Sequence, residues 1–232
     1  MIYVTGDMHG DLSRFKHKAL RRLKKNDFLI VCGDFGFVWD GSQQEQKKIK
    51  WIAHRRYTTL FIDGVHENFE LLAAYPEQEL FGGKVRCLGK RLFYLERGQV
   101  FELEGKKIFA MGGGEREDRE VDDTTSAYLT RELPTKAEIE QAAFRLEDTN
   151  YSVDCVITYE AATTIKSSLV KEMENINPLN AFFERVLREC RYKKWFFGCY
   201  HVDRKLSHVQ HAVFREVLPV EDVVLNKKKK KY

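Results

Sequence analysis

The chain has 232 residues, long enough to bury a sizeable core without disulfides or a structural metal. Hydrophobic residues make up 43% of it and charged residues 32%, a composition that excludes global disorder. No apolar run approaches the roughly 20 residues that a membrane-spanning helix needs. The start of the chain, from Met1 to Asp7, lacks the basic and apolar regions of a secretory signal. Its five cysteines form no C-x-x-C pair, so we expect a reducing, cytoplasmic location.

The formal net charge of +4 arises at the C-terminus. Lys227 and the four lysines that follow it, up to Lys231, form an uninterrupted basic run, and the rest of the chain is close to neutral. We therefore predict one domain over residues 1–220 and a basic, solvated tail over residues 221–232. A weak, salt-dependent contact of this tail with nucleic acid is an open alternative.

Strands and helices alternate over the first third of the chain. Apolar runs predict strands at residues 2–5, 28–32 and 58–62, and apolar spacing predicts helices at residues 12–25, 43–54 and 68–74. This alternation is typical of an α/β sandwich.

The remaining segments predict a second sheet. Short, closely spaced apolar segments predict an antiparallel meander at residues 91–95, 99–103 and 106–111. A polar surface loop then extends to residue 134. Helices are predicted at residues 135–146 and within residues 161–191, and strands at residues 153–158, 194–198 and 209–217.

Several predicted strands end in the same kind of polar turn. The four turns are Gly6-Asp7-Met8-His9-Gly10, Gly33-Asp34-Phe35-Gly36, Asp63-Gly64-Val65-His66-Glu67 and Gly198-Cys199-Tyr200-His201. Asp and Gly are ordinary turn residues, so a single turn of this kind is weak evidence. Four of them, each after a strand, argue against coincidence, because residues beyond strand ends converge on one crevice. Asp and His supply oxygen and nitrogen ligands for a divalent cation.

In these motifs the sequence resembles the calcineurin-like metallophosphoesterase superfamily, from Ile2 to about Val217. The blocks of that family are Asp-x-His, Gly-Asp-x-x, Gly-Asn-His-Asp/Glu, a lone His after a strand, and Gly-His-x-His. The resemblance implies a four-layer αββα sandwich with a two-metal site between the loops. It also implies hydrolysis of phosphate mono- or diesters by metal-bound water.

The ligands that the resemblance implies for the first metal are all present. Asp7 and His9 match the first block, Asp34 matches the aspartate that bridges the two ions, and His201 matches the last block. His66 matches the histidine that protonates the leaving group, so the implied catalytic residues are His66 and Asp34. We expect one divalent cation per chain, either Mn, Zn or Fe.

Three of the ligands implied for the second metal are replaced, by Val65, Tyr159 and Cys199. Val65 has no side-chain ligand atom. A remodelled second site that uses Asp34, Tyr159 and Cys199 is one alternative, since a phenolate or thiolate can bind metal. Packing of the three side chains into a disused cavity is the other. Loss of one cation removes several kcal/mol of transition-state stabilisation, so we expect weak or altered activity.

Two functions therefore stay open. The first is a metal-dependent hydrolase of phosphorylated small molecules or other phosphoesters, with an impaired second metal site. The second is a pseudophosphatase that binds a phosphorylated ligand or a protein partner without turning it over. The retained His66 favours the first function, and the clustered replacements favour the second. Arg204, close after His201, is a candidate phosphate contact, with a surface salt bridge as the alternative.

Overall fold

A computed structural model of the protein describes residues 1–115, 131–170 and 176–221. Over these residues two sheets pack face to face, and helices cover the outer face of each sheet. This is the predicted four-layer αββα sandwich. No helix in the described ranges is long and apolar enough to cross a membrane. Residues 222–232 of the predicted tail, with Lys227 and Lys231, lie outside the described residues, as do residues 116–130 of the polar loop.

The first sheet is parallel at its centre. Its strands are β1 (Ile2–Thr5), β2 (Phe28–Cys32), β3 (Thr58–Ile62), β4 (Glu77–Leu80), β5 (Gly83–Gly89), β6 (Leu92–Leu95) and β13 (Leu218–Pro219). They lie in the order β13-β1-β2-β3-β6-β5-β4. Strands β1, β2, β3 and β6 pair in parallel, so their carboxyl ends lie along one edge of the sheet.

The second sheet has the same parallel centre. Its strands are β7 (Gln99–Leu103), β8 (Lys106–Met111), β9 (Cys155–Thr158), β10 (Lys194–Phe197), β11 (Arg204–Lys205) and β12 (Gln210–Ala212). They lie in the order β11-β12-β10-β9-β8-β7, and β8, β9, β10 and β12 are parallel. The turns after β9 and β10 therefore also lie at one edge of their sheet.

Four of the five α-helices in the described residues begin at side-chain caps. Helices α1 (Gln43–Ala53) and α2 (Phe69–Ala74) lie on the first sheet, and α3 (Lys136–Glu147), α4 (Thr163–Lys166) and α5 (Pro178–Glu189) on the second. The Ser42, Asn68, Thr135 and Asn177 side chains accept a hydrogen bond from a first-turn backbone N–H of α1, α2, α3 and α5. Pro178 occupies the first turn of α5, where its missing N–H costs nothing.

Side-chain alternation along the central strands builds the layers. Leu29 and Val31 of β2 pack under the outer helices, whereas Ile30 and Cys32 pack between the sheets. Each such fully buried aliphatic side chain contributes about 1.5–3 kcal/mol of transfer free energy. The continuous apolar run at residues 28–32 therefore reflects a strand that is covered on both faces.

The predicted helix over residues 12–25 is wrong. The segment forms two short 3₁₀ helices, Leu12–Lys16 and Leu20–Arg22. Its buried residues Phe15, Leu20 and Leu23 follow intervals of five and three, which do not keep one helical face. Several basic residues also lie four apart, and such like-charge pairs destabilise a helix.

The predicted meander is only partly correct. Strands β7 and β8 form its antiparallel hairpin, but β6 belongs to the first sheet and pairs in parallel with β3. The sequence does not predict the hairpin of β4 and β5. Its first strand, β4, is exposed and polar and gives no apolar signal. Of the strand predicted at residues 209–217, only β12 forms. The next strand along the chain, β13, belongs to the first sheet.

Candidate metal centre

Four side chains converge where the carboxyl ends of the two sheets meet. Asp7, His9, Asp34 and His201 each offer one ligand atom, and these atoms all lie within 4.8 Å of one another. Asp7 and His9 follow β1, Asp34 follows β2, and His201 follows β10, so both sheets contribute. The two aspartates are buried, whereas the two histidines are partly exposed. The structure thus brings together the four residues predicted to hold the first metal.

The backbone at these turns is left-handed. The φ angles of His9, Asp34 and His201 are 46°, 41° and 50°, and that of Cys199 is 68°. Non-glycine residues adopt this region at a cost of order 1 kcal/mol each. The backbone N–H groups of Met8 and His9 both donate to the Asp34 carbonyl oxygen at 2.9 Å, which ties the first turn to the second.

The carboxylate of Asp7 lies in a setting that favours a cation. Its Oδ1 accepts a hydrogen bond from the Cys199 backbone N–H at 3.2 Å. Its Oδ2 is buried, has no hydrogen-bond partner among the described residues, and lies 3.3 Å from His201 Nε2. Burial raises the pKa of Asp7, and the nearby Asp34 carboxylate raises it further, although His201 opposes the shift.

The residues present fit a divalent metal ion. Neither Asp7 nor Asp34 has a Lys or Arg side chain as an ion-pair partner in the described part of the chain. The Nε2 atoms of His9 and His201 lie 2.9 Å apart, so both imidazoles point to the same place. Two carboxylates and two imidazoles form a mixed oxygen and nitrogen ligand set that suits Mn, Zn or Fe.

The Asp34 carboxylate accepts four hydrogen bonds. Its Oδ1 accepts from the backbone N–H groups of Val65 at 2.8 Å and His66 at 2.9 Å. Its Oδ2 accepts from His66 Nδ1 at 2.7 Å and from the Tyr159 hydroxyl at 3.0 Å. Burial acts to raise the pKa of Asp34, but the hydrogen bonds and charge of His66 outweigh it, so the pKa is lowered. Asp34 therefore stays ionised.

The three positions predicted to have lost second-metal ligands lie in or against the apolar layer between the sheets. Val65 and Tyr159 are buried there, and Cys199 packs against the same layer. The Tyr159 ring fits beside Gly33, where a Cβ atom would lie only 2.1 Å from the ring. Burial raises the pKa of the Tyr159 hydroxyl and of the Cys199 thiol. Tyr159 is thus a neutral phenol that donates a hydrogen bond to Asp34 Oδ2.

His66 lies at the open side of the cluster. Its side chain is 43% exposed, and its ring is 5.3 Å from the His9 ring, centroid to centroid. The neighbouring Glu67 is buried, and its Oε1 accepts the backbone N–H groups of Phe35 at 2.6 Å and Gly36 at 3.3 Å. Glu67 therefore fixes the turn that carries Asp34, and Asp34 fixes the His66 ring.

Asp63 follows β3 and begins the turn that carries Val65 and His66. It forms a buried ion pair with Arg97, at 2.6 Å from Nη2, and accepts a hydrogen bond from the Tyr94 hydroxyl at 2.9 Å. Arg97 Nη2 also donates to the carbonyl oxygens of Arg131 and Glu132. The sequence marks Asp63 as a turn residue but gives no signal for Arg97, because charged residues flank most turns.

Arg204 does not belong to the cluster. It lies exposed on β11, and its Nη1 donates to the Ser168 carbonyl oxygen at 3.3 Å. Its role as a phosphate contact stays a prediction.

The match to a family model identifies the family of this chain. The model of the calcineurin-like phosphoesterases matches residues 1–203. The chain belongs to this family. Its members typically depend on divalent metal ions, which agrees with the fit of the Asp and His cluster.

Comparison with other known proteins adds a likeness of fold. No curated protein matches the chain. A crystal structure from Staphylococcus aureus, provisionally assigned as a 5′-nucleotidase and determined with alpha-ketoglutarate, matches with a TM-score of 0.52 and 14% identity. That match covers 95% of this chain and 54% of the other, so the chain spans about half the length of that protein. A protein of unknown function from Aquifex aeolicus, with 14% identity over 83% of this chain and 88% of its own, has a TM-score of 0.36, too low to support an argument.

The substitution Gly64→Ala tests whether the hydrogen bonds to Asp34 support metal binding. A Cβ atom at position 64 would lie 2.1 Å from Asp34 Oδ1 and 2.6 Å from its backbone nitrogen. We expect this variant to bind Mn²⁺ about ten- to a hundredfold more weakly in calorimetry, as when an outer-shell partner is lost. Gly83→Ala is the control, because it crowds Phe101 in the core and contributes nothing to the cluster. Equal Mn²⁺ affinity in Gly64→Ala and the unmodified chain would contradict the prediction.

Proposed function

We propose that the protein hydrolyses phosphate mono- or diesters with one divalent cation, held by Asp7, His9, Asp34 and His201. The observation that supports this most is the convergence of these four residues beside His66. When bound, the cation would act as a Lewis acid toward a phosphoryl oxygen and lower the pKa of a bound water.

His66 is proposed as the general acid. The 2.7 Å hydrogen bond between its Nδ1 and Asp34 Oδ2 fixes the orientation of the ring. The carboxylate also stabilises the protonated imidazole, which can then give a proton from Nε2 to the leaving oxygen. The exposed position of His66 at the edge of the cluster supports this role, because a leaving group must reach it.

A single cation per chain is the second part of the proposal. The resemblance assigns Asp34 to both metals, but its Oδ2 accepts a hydrogen bond from Tyr159 on the side of the replaced ligands. Val65 contributes only its backbone N–H to Asp34, and its side chain packs in the core. A second cation would therefore find a phenol and an aliphatic side chain where the family has ligands. We infer turnover that is slower by several powers of ten than with two cations.

A pseudophosphatase is the second candidate, and the same Tyr159 hydrogen bond favours it. In that case the cluster would bind a phosphorylated ligand or a protein partner without hydrolysis. The His66–Asp34 pair favours the hydrolase, because binding alone does not need an oriented proton donor.

Substrate and location are also proposals. We infer a phosphorylated small molecule or another phosphoester as the substrate. A reducing, cytoplasmic location is supported by the cysteines, since all five are free thiols. We further propose that residues 1–220 act as one unit. The suggested nucleic-acid contact of the lysine tail gains no support.

The substitution His66→Gln tests the general acid by its dependence on the leaving group. With the Mn²⁺-loaded protein, we expect kcat for phenyl phosphate to fall about a hundredfold or more, within the usual range for a lost general acid. The fall for p-nitrophenyl phosphate should be much smaller, because nitrophenolate leaves without a proton. Phosphate release measures both rates.

His54→Gln serves as the control for this experiment, because His54 is an exposed residue at the end of α1. Asp7→Ala should abolish Mn²⁺-dependent turnover of both esters. If His66→Gln lowers the two rates equally, His66 is not the general acid. Absence of turnover in the unmodified protein would favour the pseudophosphatase.

The triple substitution Val65→Asn, Tyr159→His and Cys199→His tests whether these three residues prevent a second metal ion from binding. It restores the ligand types that the family has at these positions, so we expect a second bound ion and faster hydrolysis of bis-p-nitrophenyl phosphate. Elemental analysis and a rate assay measure the two effects. Tyr159→Phe is the matched control, because it removes the hydrogen bond to Asp34 without adding a ligand. A folded triple variant with one ion and an unchanged rate would mean that the family blocks are wrongly aligned here.

A further inference from the structure

A cleft of about 420 Å³ opens directly beside the metal cluster. Its lining includes His9, Asp11, Arg14, His17, Phe214 and Arg215. His9 is also one of the four clustered residues, so a group bound in the cleft would lie next to the cluster. The function proposed above makes no use of this cleft.

Phe214 connects the cleft to the cluster, and the guanidinium groups of two arginines pack against its ring. Its ring lies 4.9 Å from the His201 ring, centroid to centroid. The Cζ atoms of Arg14 and Arg215 lie 5.3 Å and 5.4 Å from the centre of the Phe214 ring. Cation–π attraction to one ring thus holds two positive charges at the cleft.

Neither guanidinium group forms a direct ion pair with a carboxylate of the described residues, although the charges of Asp7, Asp11 and Asp203 act on Arg14 and the charge of Asp11 acts on Arg215. Arg14 donates to the carbonyl oxygens of Asp7, at 2.6 Å, and of Phe214, which are neutral acceptors. Over the described ranges, neither Arg14 nor Arg215 is within ion-pair distance of a carboxylate. The carboxylate of Asp11 accepts from the Ser13 backbone N–H at 2.8 Å and from the Ser13 hydroxyl at 2.7 Å. Each of its oxygens accepts one hydrogen bond from Ser13, and Asp11 forms no direct ion pair with either arginine among the described residues.

Asp203 holds the segment that carries Arg215. Its carboxylate accepts the backbone N–H groups of Phe214 at 2.8 Å, Arg215 at 3.0 Å and Glu216 at 3.1 Å. The Arg215 backbone is therefore fixed by Asp203 while its side chain lies against Phe214. A cation that is ordered in advance loses less entropy when it binds an anion.

His17 adds a third donor to the cleft. Its Nδ1 accepts a hydrogen bond from the Ala19 backbone N–H at 3.3 Å. In a ring whose Nδ1 accepts, the proton resides on Nε2, which can then donate. The cleft thus combines two guanidinium groups and an imidazole N–H, a set that suits a carboxylate or a phosphate.

We propose that this cleft binds an anionic group on the leaving group of the phosphoester, with Arg215 as its principal contact. This inference rests on the proposed function, because the phosphoryl group is taken to lie at the cluster that His9 shares with the cleft. The substrate class is a phosphate ester whose alcohol carries a second negative charge, either a carboxylate or another phosphate.

Two phosphonates that cannot be hydrolysed test this inference without turnover. Binding of meta-carboxybenzyl phosphonate and of its neutral meta-carbamoyl analogue to the Mn²⁺-loaded full chain is measured by calorimetry. We expect the carboxylate to bind about tenfold more tightly, as for one charge-assisted hydrogen-bonded pair. Arg215→Ala should abolish this preference, and Arg215→Lys should keep part of it. Arg188→Ala, an exposed arginine on α5, should not change it.

The outcomes separate this inference from the proposed function. Equal binding of the two phosphonates by the unmodified chain would overturn the inference, and so would a carboxylate preference that survives Arg215→Ala. The corresponding phosphate esters are then assayed for phosphate release. An Arg215-dependent preference without any release would support the cleft and contradict the hydrolase.

Discussion

The buried carboxylate of Asp34 is the constraint on which the site depends. It accepts four hydrogen bonds, from the turn after β3 and from Tyr159 after β9, and so connects the two sheets at their carboxyl edge. A buried charge is stable only when it is paired and hydrogen-bonded, so the turns must keep the conformation that supplies these donors. Asp7 forms a second connection between the sheets through the Cys199 backbone N–H.

The left-handed backbone of the site is a consequence of this arrangement. His9, Asp34 and His201 adopt positive φ angles that are costly outside this context. The surrounding contacts stabilise them, among them the two backbone N–H groups that donate to the Asp34 carbonyl oxygen. These contacts fix the backbone of the turns and so set the directions in which the ligand side chains leave it. The catalysis proposed here, by a positioned acid and a single cation, would depend on such order, because less reorganisation is needed in the transition state.

In the proposed function, the same carboxylate is what sets this site apart from a two-metal centre. Tyr159 donates to Asp34 from within the apolar layer, and Val65 and Cys199 pack in or against that layer. A phenol in this position satisfies the carboxylate without a second positive charge. In this account the three residues act together. Val65 and Cys199 fill space, and the Tyr159 hydroxyl supplies a hydrogen bond to Asp34.

Sequence alone could predict the layers and the polar turns at the strand ends, because both follow from local patterns, whereas the four clustered residues are implied by the family resemblance. The apolar run at residues 28–32 indicates a strand covered on two faces, and parallel strands bring the turns with Asp7 and Asp34 to one edge. The Tyr159 hydrogen bond could not be predicted, because its partner lies 125 residues away. The cleft was missed for the same reason, since Arg14 and Phe214 are 200 residues apart.

The errors in the predicted secondary structure also have physical causes. Strand β4 is polar and exposed and owes its conformation to pairing with β5. The basic segment at residues 12–25 has helix-forming residues, but tertiary burial of Phe15 and Leu20 sets its path instead. In both places long-range packing outweighs local propensity.

The number of metal ions bound per chain tests the central claim most directly. The protein would be purified without chelators, loaded with Mn²⁺ or Zn²⁺, freed of excess ions and assayed by elemental analysis. The account predicts one ion per chain, and none in the Asp7→Ala variant. Two ions per chain would contradict it, because Tyr159 and Cys199 would then have to complete a second site around Asp34.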